Sequence, residues 1–176
     1  MPDYPEPDNA REHALEAAVR DLGEASTAEE IAAALEAIRQ VPIDVDGMLN
    51  AVRVPDDAGE YEAVLRRLLE RIPDEWGRWI SCGPGWYPIL AGIEEGLSEL
   101  DPDYEVNQIK EKFGTLRFYW EGDHPDGDAI VDEAEAESAL TCELCGNPGD
   151  LRTKAGWLKT LCDTCGRSHG YVVTPD

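Results

Sequence analysis

The sequence predicts an α+β fold from three observations. Apolar residues recur at helical spacing as far as residue 73, strict apolar/polar alternation follows within residues 104–120, and two C-x2-C turns lie near the C-terminus. The 176 residues are 42% apolar, with five Trp and six Tyr, enough to fill a core and to argue against global disorder.

Residues 1–8 alternate Pro2, Pro5 and Pro7 with Asp3, Glu6 and Asp8 and read as a flexible tail, because proline withholds backbone donors and like charges repel. Residues 9–73 read as a helical region. In its first helix Asn9 can cap, Leu15, Ala18, Val19 and Leu22 share a face, and Gly23 can end the helix. In the second, Ser26 or Thr27 caps with Glu29 or Glu30, and Ile31, Leu35 and Ile38 form a stripe that stops at Pro42. Met48, Leu49 and Val52 suggest a short third helix. Tyr61, Val64, Leu65, Leu68, Leu69 and Ile72 mark the clearest one, from about Asp57 to Ile72. The four are expected to pack together.

Residues 74–120 form the next segment, a helix and a β-hairpin. The turn Cys82-Gly83-Pro84-Gly85 precedes a helix carrying Trp86, Ile89, Leu90, Ile93, Leu97 and Leu100, which Asp101-Pro102 breaks. Tyr104–Ile109 and Thr115–Trp120 read as two strands joined through Lys110–Gly114, with Leu116, Phe118 and Trp120 alternating against Thr115, Arg117 and Tyr119. Residues 121–139 then read as an acidic linker or helix: Glu121 to Glu137 hold eight carboxylates and no Lys or Arg.

The chemical signal lies in residues 140–176. Cys142-Glu143-Leu144-Cys145 and Cys162-Asp163-Thr164-Cys165 give C-x2-C, sixteen residues, then C-x2-C, the spacing of a four-thiolate zinc site. Gly146 and Gly166 follow the second thiols and suit knuckles whose amides turn toward sulfur. Leu151–Thr153 and Trp157–Leu161 flank Lys154-Ala155-Gly156 as a hairpin that brings the two turns together, as in a zinc ribbon or a treble clef. Four thiolates leave no open position for water, so the expected cofactor is one structural Zn2+ held by Cys142, Cys145, Cys162 and Cys165. Unligated thiols, two disulfides and redox chemistry at one C-x-x-C are the alternatives. Cys82 reads as a small buried residue and His169 as a surface residue. Residues 146–161 lack the histidines that a His-Asn-His nuclease would need, and G-x-S-x-G, P-loop and dinucleotide motifs are absent.

Charge bounds the partners. The chain carries 38 acidic and 15 basic side chains, a net charge of −23, which weighs against unaided nucleic-acid binding and favours a protein partner with a basic surface. The excess resides in residues 1–139, with 34 acidic and 11 basic side chains, whereas residues 140–176 have four of each. Solubility in a salty cytoplasm would account for the same excess. Lys110, Lys112 and Arg117, beside Phe113 and Tyr119, form a basic island: either a recognition surface with aromatic anchors, or a hairpin whose cations pair with nearby carboxylates, the reading preferred here. No apolar run approaches the roughly 20 residues of a membrane span, and the first ten residues lack signal-peptide features, so a cytoplasmic protein is expected.

Cys82-Gly83-Pro84-Gly85-Trp86-Tyr87, the string from Ile109 to Tyr119, and Cys142 to Cys165 with Gly156-Trp157 and Thr160-Leu161-Cys162 together resemble an uncharacterised family of small bacterial and phage-encoded proteins. The resemblance implies a defined domain over about half the chain and no settled activity. The functional expectation is a nonenzymatic, acidic, zinc-stabilised protein that binds another protein, with phage–host or toxin–antitoxin conflict as a fitting setting. A zinc-containing nucleic-acid adaptor and a hydrolase using a second metal are the alternatives.

Overall fold

The computed structural model describes residues 9–41 and 45–174, so the expected tail at 1–8 lies outside the described residues. The chain divides into two compact units, Met1–Val45 and Asp46–Asp176. The first contains α1 (Asn9–Glu24) and α2 (Ala28–Gln40). Thr27 caps α2 in a full capping box: its side chain accepts from the Glu30 amide at 3.2 Å, and Glu30 accepts from the Thr27 amide at 3.0 Å.

The fourth expected helix lies outside the first unit in the chain division. It belongs to the second unit, where a 3-10 turn (Gly59–Tyr61) leads into α4 (Glu62–Glu70), after α3 (Val45–Asn50). Leu65, Leu68, Leu69 and Ile72 meet Trp86, Ile89, Leu90, Ile93 and Leu97, contributed by a second 3-10 turn (Pro84–Trp86) and α5 (Tyr87–Leu100). A mixed three-stranded sheet closes this core, in the order β1 (Ile80–Ser81), β2 (Glu105–Lys112), β3 (Thr115–Glu121). The short β1 runs parallel to β2 and was not visible in the sequence.

The hairpin is longer than expected. Lys110, Glu111 and Lys112 continue β2, with Lys110 opposite Arg117 and Lys112 opposite Thr115, and the turn is Phe113-Gly114 alone. Both turn residues have positive φ, 57° and 84°, as a two-residue type I′ turn requires, and Glu111 Oε1 accepts from the Gly114 amide at 2.7 Å. Residues 121–139 contain α6 (Gly127–Ser138), which packs on α5 and β3 and places Val131 and Ala134 in the core. Its polar side chains also close the edge of β3: Ser138 Oγ accepts from the Leu116 amide at 2.9 Å and Glu135 Oε1 from the Phe118 amide at 3.1 Å. Among the described residues no helix is long and apolar enough to cross a membrane.

Outside the four cysteines near the C-terminus, burial raises three ionisable groups among the described residues of this unit. Burial pushes the Cys82 thiol up to about 12, helped by nearby Glu143. Burial also raises Tyr104, whose hydroxyl donates to Glu94, and Tyr87, whose hydroxyl donates to Asp57 at 2.8 Å. A folded-state pKa above the unfolded one means stability that is intact below the unfolded value and lost as pH rises toward the folded one. The fold should therefore weaken above about pH 9, where unfolded Cys and then Tyr begin to ionise. Cys82 should resist iodoacetamide at pH 8 until urea unfolds the chain, and rapid alkylation in the native state would contradict this assignment.

Candidate metal centre

Cys142 to Gly146 form a tight knuckle, in which Gly146, at φ 74°, donates its amide to the Cys142 carbonyl at 2.9 Å. Next come β4 (Asp150–Lys154) and β5 (Trp157–Leu161), joined by Ala155-Gly156 with φ values of 49° and 87°. Helix α7 (Asp163–His169) follows, and β6 (Val172–Val173) returns to pair with β4. Cys162 is the N-cap of α7 and Cys165 lies in its first turn, so the second pair of thiols comes from a helix start. Arg152, 4% exposed on β4, fixes that start: its guanidinium bonds the Leu161 carbonyl at 2.8 Å and Asp163 at 2.5 Å.

The hairpin brings all four sulfurs within 4.8 Å of one another. Tetrahedral bonds of roughly 2.3 Å imply sulfur separations of about 3.8 Å, and Cys145 and Cys162 Sγ lie 3.6 Å apart. All five cysteines are free thiols, so no disulfide competes for the cluster. The donor set is suited to thiolates: the Cys165 amide points at Cys162 Sγ at 3.4 Å and Asn147 Nδ2 at Cys145 Sγ at 3.3 Å. The Cys165 amide holds Cys162 down at about 7, while desolvation and neighbouring thiols push Cys165 up to about 12 and desolvation raises Cys142. Four adjacent thiolates repel unless a cation lies among them, so these residues could hold a metal ion, which would displace the remaining protons. Cys142 is fully buried and Cys145 is exposed. His169, with Nδ1 3.0 Å from the Cys165 carbonyl oxygen, is outside the four-thiol group.

The site is built into the surrounding fold. Glu143, 3% exposed between the first two thiols, accepts from the Gly83 amide at 3.1 Å and from Lys159 Nζ at 2.5 Å. Its carbonyl takes the Gly85 amide at 2.8 Å, and Trp86 Nε1 donates to the Thr141 carbonyl at 2.8 Å. Thr160 Oγ1 donates to the Gly114 carbonyl at 2.6 Å. The glycine-proline turn, the hairpin tip and the cysteine module, three separate strings in the sequence, thus meet at one junction. A Cβ on Gly85 would lie 2.1 Å from the Cys142 carbonyl oxygen. Gly85→Ala should therefore cost about 1–3 kcal/mol and loosen the knuckle, read as a lower urea midpoint and weaker retention of added Zn2+ against a chelator. Unchanged values would show that the junction yields easily.

The basic island is divided. Arg117 pairs with Glu135 at 3.1 Å, as the hairpin reading expects. Lys110 bonds Gln108 at 2.5 Å and lies 5.2 Å from the Tyr119 ring, and Lys112 lies 5.4 Å from the Phe113 ring; among the described residues neither lysine is in an ion pair. Phe113 is 67% exposed and Tyr119 42%. A second polar cluster escaped sequence reasoning altogether. Glu94, 3% exposed on α5, accepts from Arg71 at 3.1 Å, Arg67 at 3.4 Å, Ser98 at 3.1 Å and the Tyr104 hydroxyl. No local motif announces it, because apart from Ser98, one turn on along α5, its partners come from α4, its C-terminal end and the segment leading into β2.

No protein-family model matches the chain, and no match was found among curated proteins or solved structures.

Proposed function

We propose that the chain is a nonenzymatic binding protein whose C-terminal module, in the treble-clef order of knuckle, hairpin and helix, is held by one structural Zn2+, and that it binds a protein with a basic surface. The observation that carries this reading is the four-thiol cluster, whose donor set saturates a tetrahedral ion and whose knuckle residue Glu143 is used internally, by Gly83 and Lys159. Such an ion supplies folding free energy. The acidic excess supports the choice of partner, since a net charge of −23 attracts a cationic surface and repels polyphosphates. Neutralising a basic effector in phage–host or toxin–antitoxin conflict suits such a chain.

Affinity capture on the zinc-loaded full chain from its native cells, with and without nuclease, tests the proposal. A captured protein with a basic surface, retained after nuclease treatment and released by salt, is expected. Retention of nucleic acid alone, weakened by Lys110→Glu, Lys112→Glu and Arg117→Glu together, would overturn it in favour of an adaptor role.

A further inference from the structure

Two aromatic side chains are displayed where the fold does not need them. Phe113 occupies the first position of the β2–β3 turn at φ 57°, a conformation that bulky residues avoid, yet its ring is 67% exposed. Trp157, directly after the β4–β5 turn, is 75% exposed. Both line one groove of about 430 Å3, together with Lys112, Ala155, Gly156 and Leu158. The groove has firm walls, because Thr160 Oγ1 ties β5 to the Gly114 carbonyl and Leu151 packs against Gly114. Glu111, also on its wall, is occupied by the Gly114 amide and faces Lys159 at 3.9 Å.

The backbone offers one unpaired residue beside the groove. β5 is the outer strand in the order β5-β4-β6. The Ala155-Gly156 turn makes Lys154 and Trp157 the closing hydrogen-bonded pair, so Leu158 and Thr160 direct their N–H and C=O away from β4. The Thr160 carbonyl follows this pattern by accepting from the Glu143 amide at 2.9 Å. Leu158, two residues nearer the groove, has no corresponding partner among the described residues.

We infer that this groove docks an extended peptide segment of the protein partner, whose main chain pairs with Leu158 and which seats an apolar side chain between Phe113 and Trp157. The aromatic pair would supply affinity, and the one main-chain pairing at Leu158 would fix the register of the peptide. Charge selects the occupant at long range: the chain's net −23 repels a second copy and a nucleic acid and draws in a peptide with basic flanks, while the groove wall itself carries one charge of each sign, Glu111 and Lys112. The inference rests on the protein-binding function proposed above and gives it a location.

A displayed library of random twelve-residue peptides, selected on the zinc-loaded full chain, provides the probe. Enriched peptides are expected to carry a central apolar residue beside Lys or Arg, and to slow hydrogen exchange at the Leu158 amide. Their affinity should fall at least about tenfold in the double variant Phe113→Gly, Trp157→Ala. Both changes are at exposed positions and glycine suits the positive φ, so zinc content and circular dichroism should stay as in the wild type; Trp76→Ala, at another exposed aromatic outside the groove, is the control and should bind normally. Failure to enrich any peptide, or equal binding by the double variant, would overturn the inference. So would binding of a single-stranded oligonucleotide, or self-association, that depends on the same two residues. Cationic peptides that bind in a salt-dependent manner but ignore the double variant would refute the groove while leaving the protein-binding function standing.

Discussion

Replacing Cys142 by Ser, or removing the ion with a chelator, is expected to unfold residues 140–174 and to free the Gly83–Trp86 turn, while α4, α5 and β2 stay folded. The module's own buried side chains are few, chiefly Cys142, Arg152, Thr160 and Leu161, and none belongs to the main cluster of buried apolar residues, which runs from Ala58 to Ala134. Structural zinc in comparably small modules contributes on the order of 10 kcal/mol, more than such a core can replace. Damage should spread only through the junction, where the Gly85 amide and Trp86 Nε1 lose their acceptors at Glu143 and Thr141. Hydrogen exchange with and without chelator separates the outcomes. Loss confined to the module and residues 83–86 supports a body that folds on its own core, and equal loss throughout would show a single cooperative unit.

Glu94→Ala is expected to destabilise the Asp46–Asp176 unit by about 3–5 kcal/mol, because it removes one partner from a buried charged network. Arg71, whose side chain is 19% exposed, would lose its carboxylate, and the buried Tyr104 hydroxyl would lose its acceptor. Arg67 contributes less, since its side chain is 57% exposed and solvated without Glu94. Tyr104→Phe should cost less, about 1.5–3 kcal/mol, the worth of one hydrogen bond to a charged group. Urea unfolding reads both as shifts of the midpoint at constant slope. A loss below about 1 kcal/mol for Glu94→Ala would mean that the network is not coupled to the fold.

Periodicity made α1, α2, α5 and the hairpin strands legible as elements, because each pattern lies within a single element, yet Val19 on α1 and Ile31 and Leu35 on α2, expected on apolar faces, are exposed, and Ala34 is buried instead. The capping box at Thr27 and the turn at Ala155-Gly156 were legible for the same local reason. What escaped depends on distant residues. β1 is two residues long and exists only because Ile80 meets Ile109 on β2. The charges of Lys110 to Lys112 suggested a loop, yet Phe113-Gly114 can close the hairpin by itself, and Lys110 and Lys112 need only one solvated face of a strand. The acidity of residues 121–139 drew attention to their outward side, whereas Val131, Ala134 and the two side-chain bonds to β3 make α6 part of the core. The cluster of Cys142, Cys145, Cys162 and Cys165 could be read from spacing alone, because metal geometry limits the spacing so strongly. Glu143 could not, since nothing in a C-x-x-C turn indicates that its second residue will reach the Gly83 amide.

The central claim, one structural zinc at four thiolates, is tested most directly by native mass spectrometry combined with elemental analysis and thiol titration on the full chain. The account predicts one zinc per chain. Four thiols should be protected until a chelator or denaturant is added, and Cys82 should react only on unfolding. A metal-free chain with an intact fold and four readily titratable thiols would contradict it.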